Sequence, residues 1–333
     1  MATLEDIAKA LGVSKSTVSK ALNGAEDVSA ARRRAVLEKA VEMGYSRAFR
    51  TTSAPRIAIF IINMNYENPE DFGYEIVQGF RKMAVPSGFQ VEIVPLTRKL
   101  QLRVRYDEYM TLKKYCGGLF LGLSLQDPWI KDFETCRTPA VLYDNHITGN
   151  PNVTDIAVDN IEGMELAVGY LKALGHERIG YLSSALGAYV YQQRYKAYFR
   201  VMEDMGLEVT ADMAASAYHI RDCLNIHLPR LLERGCTAII CSHDVMAGSV
   251  LDYCAEKGLR VPEELSVLGY DDLPLCATTH PPLTTIRQNR ADLGKSAYYA
   301  LSSQLNKVHP SSLQLHAELI CRASCTVSPP RSE

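Results

Sequence analysis

The chain has 333 residues, 47% of them hydrophobic, and a net charge of -2 at pH 7. A chain of this length can bury a larger hydrophobic core than a single typical domain contains, so the sequence predicts two or three compact units. No apolar run reaches the roughly eighteen residues that span a bilayer, and residues 1–20 lack the basic and apolar segments of a signal peptide. These features exclude a membrane protein and predict a cytoplasmic location.

The charge is distributed unevenly along the chain. Residues 1–56 contain ten Lys and Arg against six Asp and Glu, whereas the rest has 26 against 32. The cationic end can meet phosphates while the anionic remainder is repelled by them, so the distribution favours nucleic-acid binding by the N-terminal end.

The N-terminal residues predict three short helices. Thr3 and Asp6 resemble a capping box at the start of the first helix, and Gly12 ends it. Ser14 is suited to cap the second helix and Ser29 the third. Two short helices joined by a Gly-Val-Ser turn form a helix-turn-helix, whose second helix enters the major groove, and the third helix closes a small core.

The exposed face of the predicted second helix is polar. It carries Lys15, Ser16, Ser19 and Lys20. Ordinary amphipathic helices also expose lysines, so a solvated hairpin or a protein-interaction module is the alternative for this head. Such a module would not require short polar groups beside the lysines.

From residue 57 onward, apolar strand-like runs alternate with helical stretches. The predicted strands are residues 57–62, 91–96, 119–123, 140–143, 179–182, 238–241 and 265–268. This alternation predicts an α/β body with doubly wound parallel sheets. Several runs end in polar residues, namely Asn63, Asp144, Ser183, Ser242, His243, Asp244 and Asp271. Ligands bind beyond the carboxyl ends of parallel strands, so these side chains are candidates for a binding site.

Residues 3–23 read Thr-Leu-Glu-Asp-Ile-Ala-Lys-Ala-Leu-Gly-Val-Ser-Lys-Ser-Thr-Val-Ser-Lys-Ala-Leu-Asn, which resembles the headpiece of the lactose-repressor (LacI/GalR) family. The resemblance extends through the body at residues 269–274, 283–288 and 319–324. It implies a sequence-specific DNA-binding transcription regulator, for which repression is the commoner outcome. The partners implied are double-stranded operator DNA, a second copy in a homodimer, and a small-molecule effector.

The family resemblance also implies the domain organisation. The core of the family resembles periplasmic sugar-binding proteins, with two similar doubly wound parallel α/β lobes and an effector held between them. The expected parts are a small all-α headpiece at 1–46, a shortened hinge or linker at 47–56 and a core at 57–333, with lobe 1 at about 57–158 and 288–311 and lobe 2 at about 159–287 and 312–333.

In the headpiece, the resemblance assigns DNA contacts residue by residue. It implies that Lys15 and Ser16 read base edges and that Lys20 assists them. Thr17 and Ser19 would mostly hold phosphates, which position the protein without carrying sequence information.

In the core, the resemblance implies that Arg194 and Asp271 contact the effector. Asp144 and His243 fall where the family places further polar contacts, and Phe72 is placed to supply an aromatic wall. Carboxylates accept hydrogen bonds from neighbouring hydroxyl groups, and a guanidinium can donate two parallel hydrogen bonds. A sugar is therefore the expected effector. A purine-like effector and, for Arg194 and Asp271, a purely structural salt bridge remain alternatives.

The linker departs from the family pattern, because the usual hinge helix is missing or shortened. Pro55 and the preceding threonines predict that any helix here ends near Arg50. We hypothesise that Phe49 wedges between base steps in the minor groove, with Arg47 and Arg50 beside it. The alternative is a flexible tether.

The sequence carries no motif of a hydrolase, a nucleotide-binding loop or a metalloprotease, so no enzyme activity, cofactor or metal is expected. The nine cysteines are scattered without a C-x-x-C pair, and reduced core residues are the expectation. Cys321 and Cys325 have the spacing of a ligand pair but lack a second pair elsewhere. The rival from another class is a stand-alone sugar-binding or sugar-processing protein whose N-terminal helices mediate contacts.

Overall fold

A computed structural model describes residues 2–23, 25, 27–45 and 54–329. The chain forms two compact units, each assembled from separate segments. The first comprises Met1–Met64, Glu75–Ile156 and Ala291–Leu313, and the second comprises Asn65–Tyr74, Ala157–Arg290 and Gln314–Glu333.

The N-terminal part of the first unit consists of three helices, α1 (Leu4–Leu11), α2 (Lys15–Leu22) and α3 (Ala30–Glu42). The predicted capping box is confirmed, because the Thr3 hydroxyl accepts from the Asp6 N–H and the Asp6 carboxylate accepts from the Thr3 N–H. Gly12 ends α1 with φ 63°, a left-handed conformation that suits glycine. The side chains of Ser14 and Ser29 cap α2 and α3, as predicted.

One small hydrophobic core holds these three helices together. Its buried members are Ile7, Ala8, Val18, Ala21, Leu22, Val28, Val36, Leu37, Ala40 and Tyr45. Every helix contributes to this core, so the buried stripe of α2 determines which of its residues face outward.

The remaining elements alternate between strand and helix. In chain order the strands are β1 (Arg56–Ile61), β2 (Gln90–Pro95), β3 (Tyr115–Leu121), β4 (Ala140–Tyr143), β5 (Val153–Val158), β6 (Ile179–Ser184), β7 (Ala214–Ala217), β8 (Ala238–Cys241), β9 (Ser266–Asp271), β10 (Thr284–Arg287), β11 (Ser312–Leu315) and β12 (Glu318–Ile320). The helices are α4 (Phe72–Ala84), α5 (Arg98–Arg103), α6 (Tyr106–Lys113), α7 (Trp129–Phe133), α8 (Asn160–Ala173), α9 (Tyr189–Asp204), α10 (Ile220–Asp222), α11 (Leu228–Glu233), α12 (Asp244–Lys257) and α13 (Arg290–Leu305).

The strands form two six-stranded sheets with equivalent strand orders. The first is β2-β1-β3-β4-β5-β11, and the second is β7-β6-β8-β9-β10-β12. Within the second sheet β6 to β10 pair in parallel, and β12 pairs antiparallel with β10. The predicted doubly wound parallel architecture is confirmed. In the second sheet the strand order reverses between β6 and β8, which is the position where open parallel sheets bind ligands.

The second sheet is covered on both faces. Ile240 packs in a core with residues of α8 and α9, whereas its neighbours Ile239 and Cys241 pack in a separate core with α12. Successive strand residues point to opposite faces, so both faces of β8 are apolar and its first polar side chains come only after the strand ends.

All nine cysteines are free, and eight of them are buried. Cys321 is exposed, so the prediction that the cysteines are core residues is wrong at this position, which follows the edge strand β12. Among the described residues there is no group of three or more potential metal ligands.

Every helix in the described ranges is too short or too polar to cross a lipid bilayer.

Candidate functional site

Polar side chains gather where β6, β8 and β9 of the second sheet end. Ser184 is the last residue of β6, Ser242 and His243 follow β8, and Asp271 is the last residue of β9. Parallel strands present their carboxyl ends at one edge, so these residues lie on the same edge of the sheet. Arg194 reaches the same edge from α9.

Arg194 is the buried cation of this edge and is only 2% exposed. Its Nη1 donates to the Ser242 carbonyl oxygen at 2.6 Å and lies 3.5 Å from Asp271 Oδ1, and its Nε donates to Asn160 Oδ1 at 3.0 Å. The guanidinium carbon stacks 3.7 Å from the centre of the Tyr270 ring. These contacts fix the plane of the guanidinium, as a fork-shaped donor requires.

Asp271 has a buried carboxylate and unusual backbone geometry. Its φ of 116° is one that non-glycine residues rarely adopt. Oδ1 accepts from Gln288 Nε2 at 2.7 Å, whereas Oδ2 has no hydrogen-bond donor among the described residues. Burial raises the pKa of Asp271, although Arg194 and Gln288 oppose the shift. The site therefore holds a carboxylate oxygen that is free to accept from a ligand.

Phe72 lies in the same unit as Arg194 and Asp271, and its ring contacts Arg290. The guanidinium carbon of Arg290 lies 5.8 Å from the centre of the Phe72 ring. Arg290 Nη1 also donates to the carbonyl oxygens of Asp271 and Asp272, at 3.1 and 3.3 Å. Arg290 thus links the aromatic ring predicted as a wall to the backbone that carries the predicted carboxylate contact.

His243 caps α12 and contacts Ser184. Its Nδ1 accepts from the Met246 N–H at 3.2 Å, and its Nε2 lies 2.9 Å from Ser184 Oγ. Burial, together with the positive charge of Arg194, lowers the pKa of His243 to about 4. The imidazole is therefore neutral near pH 7.

Asp144 lies in the first unit, unlike the other four predicted effector residues. It follows β4 and has φ 52°, and its N–H donates to the Ile156 carbonyl oxygen at 3.0 Å. A short polar side chain tolerates this left-handed conformation better than most. Asp144 therefore occupies the strand end at which the sequence places it.

Three contributors to the site were missed by sequence reasoning. Ser184 is one residue beyond Ser183, the residue singled out from the sequence, and Ser183 is fully buried. Strict alternation along β6 would have identified Ser184 as the residue on the other face. Asn160 and Gln288 gave no such signal, because they meet Arg194 and Asp271 only through the tertiary fold.

The structure places the predicted DNA-contacting residues of the headpiece on and beside one face of α2. Lys15, Ser16 and Lys20 are exposed, and Thr17 and Ser19 are half-buried. The lysines form surface ion pairs, Lys15 with Glu5 and Lys20 with Asp27, while Thr17 Oγ1 lies 2.8 Å from Ser14 Oγ. Exposed ion pairs contribute little energy, so phosphates can replace the carboxylates as partners. Arg47, Phe49 and Arg50 lie outside the described residues.

Comparison with known proteins covers both parts of the chain. Residues 3–48 match the model for bacterial regulatory proteins of the lacI family, and residues 168–325 match the model for a periplasmic binding protein-like domain. The transcriptional repressor PurR of Haemophilus influenzae is 30% identical to this chain, over 97% of this chain and 98% of that protein. The chain belongs to the LacI family. CytR of Escherichia coli K12, another transcriptional repressor, is 29% identical over 98% of this chain and 97% of its own length.

Solved structures of LacI-family regulators have the same fold. The complex of the transcriptional regulator CelR with cellobiose is 25% identical, with a TM-score of 0.68, and the similarity covers 97% of this chain and all of that one. The lac repressor dimer bound to operator and the anti-inducer ONPF has a TM-score of 0.66 at 23% identity, covering 98% and 99% of the two chains. As a LacI-family member with a matching headpiece, this chain is a DNA-binding transcription regulator with an effector-binding domain, and its relatives PurR and CytR are transcriptional repressors.

Proposed function

We propose that this LacI-family regulator is a homodimeric repressor whose operator affinity is set by a sugar bound at the carboxyl edge of the second sheet. Asp271 and Arg194 are the principal contacts in this proposal, with His243 and Phe72 beside them, and the role of Asp144 stays a prediction from the sequence. Lys15 and Ser16 read base edges with the assistance of Lys20, and Thr17 and Ser19 mostly hold phosphates. The proposed roles of Arg47, Phe49 and Arg50 in the minor groove stay predictions from the sequence.

The observation that carries the effector proposal is the unfilled acceptor on a buried carboxylate. Asp271 is 7% exposed, and one of its oxygens is occupied by Gln288 and faces Arg194. The other oxygen has no hydrogen-bond donor among the described residues, so it can accept a hydrogen bond from a ligand.

A sugar fits this arrangement better than a purine-like ligand. A sugar hydroxyl can donate to Asp271 Oδ2 while it accepts from a neighbouring donor, and the Phe72 ring offers an apolar face for the ring carbons. The relative CelR was solved with cellobiose, which supports the same class of ligand.

A thermal-shift screen followed by a gel shift tests the proposal. The panel contains cellobiose, maltose, lactose, adenosine, cytidine and hypoxanthine. A sugar that binds only the folded state should raise the unfolding midpoint of the protein. The same sugar should change the affinity of the protein for DNA taken from the region upstream of its own gene. A midpoint shift with the nucleosides or the nucleobase alone would contradict a sugar effector, and absence of DNA binding would contradict the regulator.

We expect the protein to bind a nearly palindromic operator as a homodimer, because one headpiece reads only a few base pairs and two-fold symmetry doubles the contacts. Footprints should be symmetric about the operator centre. Affinity should fall about a thousandfold or more between about 50 and 200 mM salt, because phosphate contacts release counterions. A monomer that binds at full affinity, or an affinity independent of salt, would be inconsistent with this expectation.

Substitutions on α2 should separate specificity from affinity. Lys15→Ala and Ser16→Ala should change the preferred bases, at about 1–3 kcal/mol for each lost base contact, whereas Thr17→Ala should weaken all sequences alike. Thr17→Ser keeps the hydroxyl that contacts Ser14 and serves as the matched control. Selection on randomised duplexes gives the preference, and unchanged preferences in both the Lys15 and the Ser16 variants would remove the base-reading assignment.

A further inference from the structure

The strand order of the second sheet reverses between β6 and β8. A hydrogen-bonded pair of side chains connects the carboxyl ends of these two strands. Ser184 ends β6 and His243 follows β8, with Ser184 Oγ 2.9 Å from His243 Nε2. Ser242 connects the pair to the effector site, because its Oγ accepts from the Ser184 N–H at 3.1 Å and its carbonyl oxygen accepts from Arg194. The pair therefore borders the proposed effector contacts within the same unit.

The cap of α12 determines which nitrogen of His243 carries the proton. Nδ1 accepts from the Met246 N–H at 3.2 Å, so Nδ1 has no proton of its own. Charged and titratable groups nearby are Arg194, whose charge disfavours a second proton, and Tyr191, whose ring centre lies 6.0 Å from that of the imidazole. A neutral imidazole with an accepting Nδ1 holds its proton on Nε2.

The Nε2 proton in turn determines the polarity of Ser184. Nε2–H donates to Ser184 Oγ, so the Ser184 hydroxyl cannot donate back to His243. No other hydrogen bond of Ser184 Oγ occurs among the described residues, and Ser184 is half-buried. Its hydroxyl hydrogen is consequently available to an acceptor atom of a ligand.

We propose that Ser184, oriented by His243, determines effector specificity by donating its hydroxyl hydrogen to an acceptor oxygen of the sugar. This inference rests on the proposed function. The site then contacts the sugar with one hydrogen-bond donor, the Ser184 hydroxyl, and one hydrogen-bond acceptor, Asp271 Oδ2. A ligand that offers only donors at the Ser184 position is selected against.

Ligand analogues test the polarity at Ser184. The parent ligand is the sugar of the panel that gives the largest midpoint shift. Its affinity for wild type and for Ser184→Ala is compared with the affinities of its monodeoxy and deoxyfluoro analogues, one pair of analogues for each hydroxyl. Ser184→Ala should weaken binding of the parent sugar about threefold to tenfold. The deoxy analogue that lacks the hydroxyl contacted by Ser184 should bind wild type and Ser184→Ala equally well. The deoxyfluoro analogue accepts but cannot donate, so it should bind wild type better than the deoxy analogue does.

Two further variants separate orientation from structure. Ser184→Thr keeps the hydroxyl and should retain wild-type affinity. His243→Asn keeps an oxygen that caps α12 but cannot reach Ser184 as Nε2 does, so the hydroxyl can then accept as well as donate. In this variant the advantage of the deoxyfluoro over the deoxy analogue should shrink, although the unfolding midpoint without ligand stays near that of wild type.

Nitrogen-15 NMR of histidine-labelled protein tests the tautomer without any ligand, with His243→Asn assigning the signal. A proton on Nε2 is expected, and a proton on Nδ1 would overturn the inference. Equal affinity of Ser184→Ala and wild type for the parent sugar and all its analogues would also overturn it, while leaving the proposed function intact if Arg194→Ala still abolishes binding. No midpoint shift with any member of the panel would overturn the proposed function and this inference with it.

Discussion

The Arg194→Ala variant should lose the effector response, with at least about a 100-fold increase in the sugar concentration needed to change operator binding. Arg194 is the buried cation that faces Asp271, and it also donates to Ser242 and Asn160. Without it the Asp271 carboxyl loses its nearest positive charge, and burial then favours the protonated form, which accepts hydrogen bonds poorly. Operator titrations at increasing sugar concentrations measure the effect.

Matched variants distinguish a lost contact from a lost fold. Arg194→Lys keeps the charge but not the fork, so most of the response should still be lost. Asp271→Asn keeps the size and one accepting oxygen, and it should also reduce the response while Arg194 keeps its bonds to Ser242 and Asn160. Operator binding without sugar should remain near wild type in all three variants. A response at wild-type sugar concentrations in both the alanine and the asparagine variant would place the effector site elsewhere.

Replacing Asp272 should have the largest effect on stability. Its Oδ2 accepts from Arg287 Nε and its Oδ1 from Arg322, both at 2.7 Å, while Arg287 also pairs with Glu318. One nearly buried carboxylate thus ties β9 to β10 and to the end of β12. Asp272→Asn removes the carboxylate charge that faces Arg322, whereas the partly exposed Arg287 keeps Glu318 as a partner. The substitution should therefore lower the free energy of unfolding by about 2 kcal/mol at pH 7.

The backbone at Asp272 provides a matched comparison. Its φ is 52°, which asparagine tolerates and alanine does not. Asp272→Asn therefore isolates the loss of charge, and Asp272→Ala should cost about 1–2 kcal/mol more. Urea unfolding of the three proteins measures both steps, and equal stability of wild type and Asp272→Asn would show that the ion pairs contribute nothing net.

The charge effect at Asp272 should depend on pH in a defined direction. Burial by itself would raise the pKa of Asp272, but hydrogen bonds from Arg322 and Arg287 outweigh it, and the pKa lies below its ordinary value. A depressed carboxyl pKa stabilises the fold above the pKa of the unfolded chain, and this stabilisation is lost as the pH falls through the lower folded-state pKa. The deficit of Asp272→Asn should therefore be constant from pH 7 to about 5 and should shrink below about pH 4.

The sequence predicted those features whose causes lie within a few residues of each other. The Thr3 and Asp6 capping box, the Ser14 cap and the left-handed Gly12 all depend on contacts between residues at most a few positions apart. The strands at residues 140–143 and 238–241 were also predicted with the observed ends, because both are short apolar runs buried on both faces. The family's headpiece was recognisable for the same local reason.

Strands with weak apolar patterns were not predictable in this way. β7 consists of small residues at the edge of its sheet, and β10, Thr284–Arg287, contains two threonines and an arginine. Their extended conformation comes from pairing, since β10 lies between β9 and β12. The sequence contains no signal for such partners, because β-strand preference depends mainly on neighbours in the sheet.

The amino-acid sequence by itself determined the headpiece, the alternating α/β plan and which polar residues follow strands. Only the tertiary structure decided how those residues act on one another. Arg194 and Asp271 are 77 positions apart and meet at 3.5 Å. The cap of α12 sets the proton position on His243, and that proton determines how a serine at the end of β6 can hydrogen-bond. Hydrogen bonds and desolvation act over a few ångströms in space, so the chemistry of the site follows from packing and cannot be read from spacing along the chain.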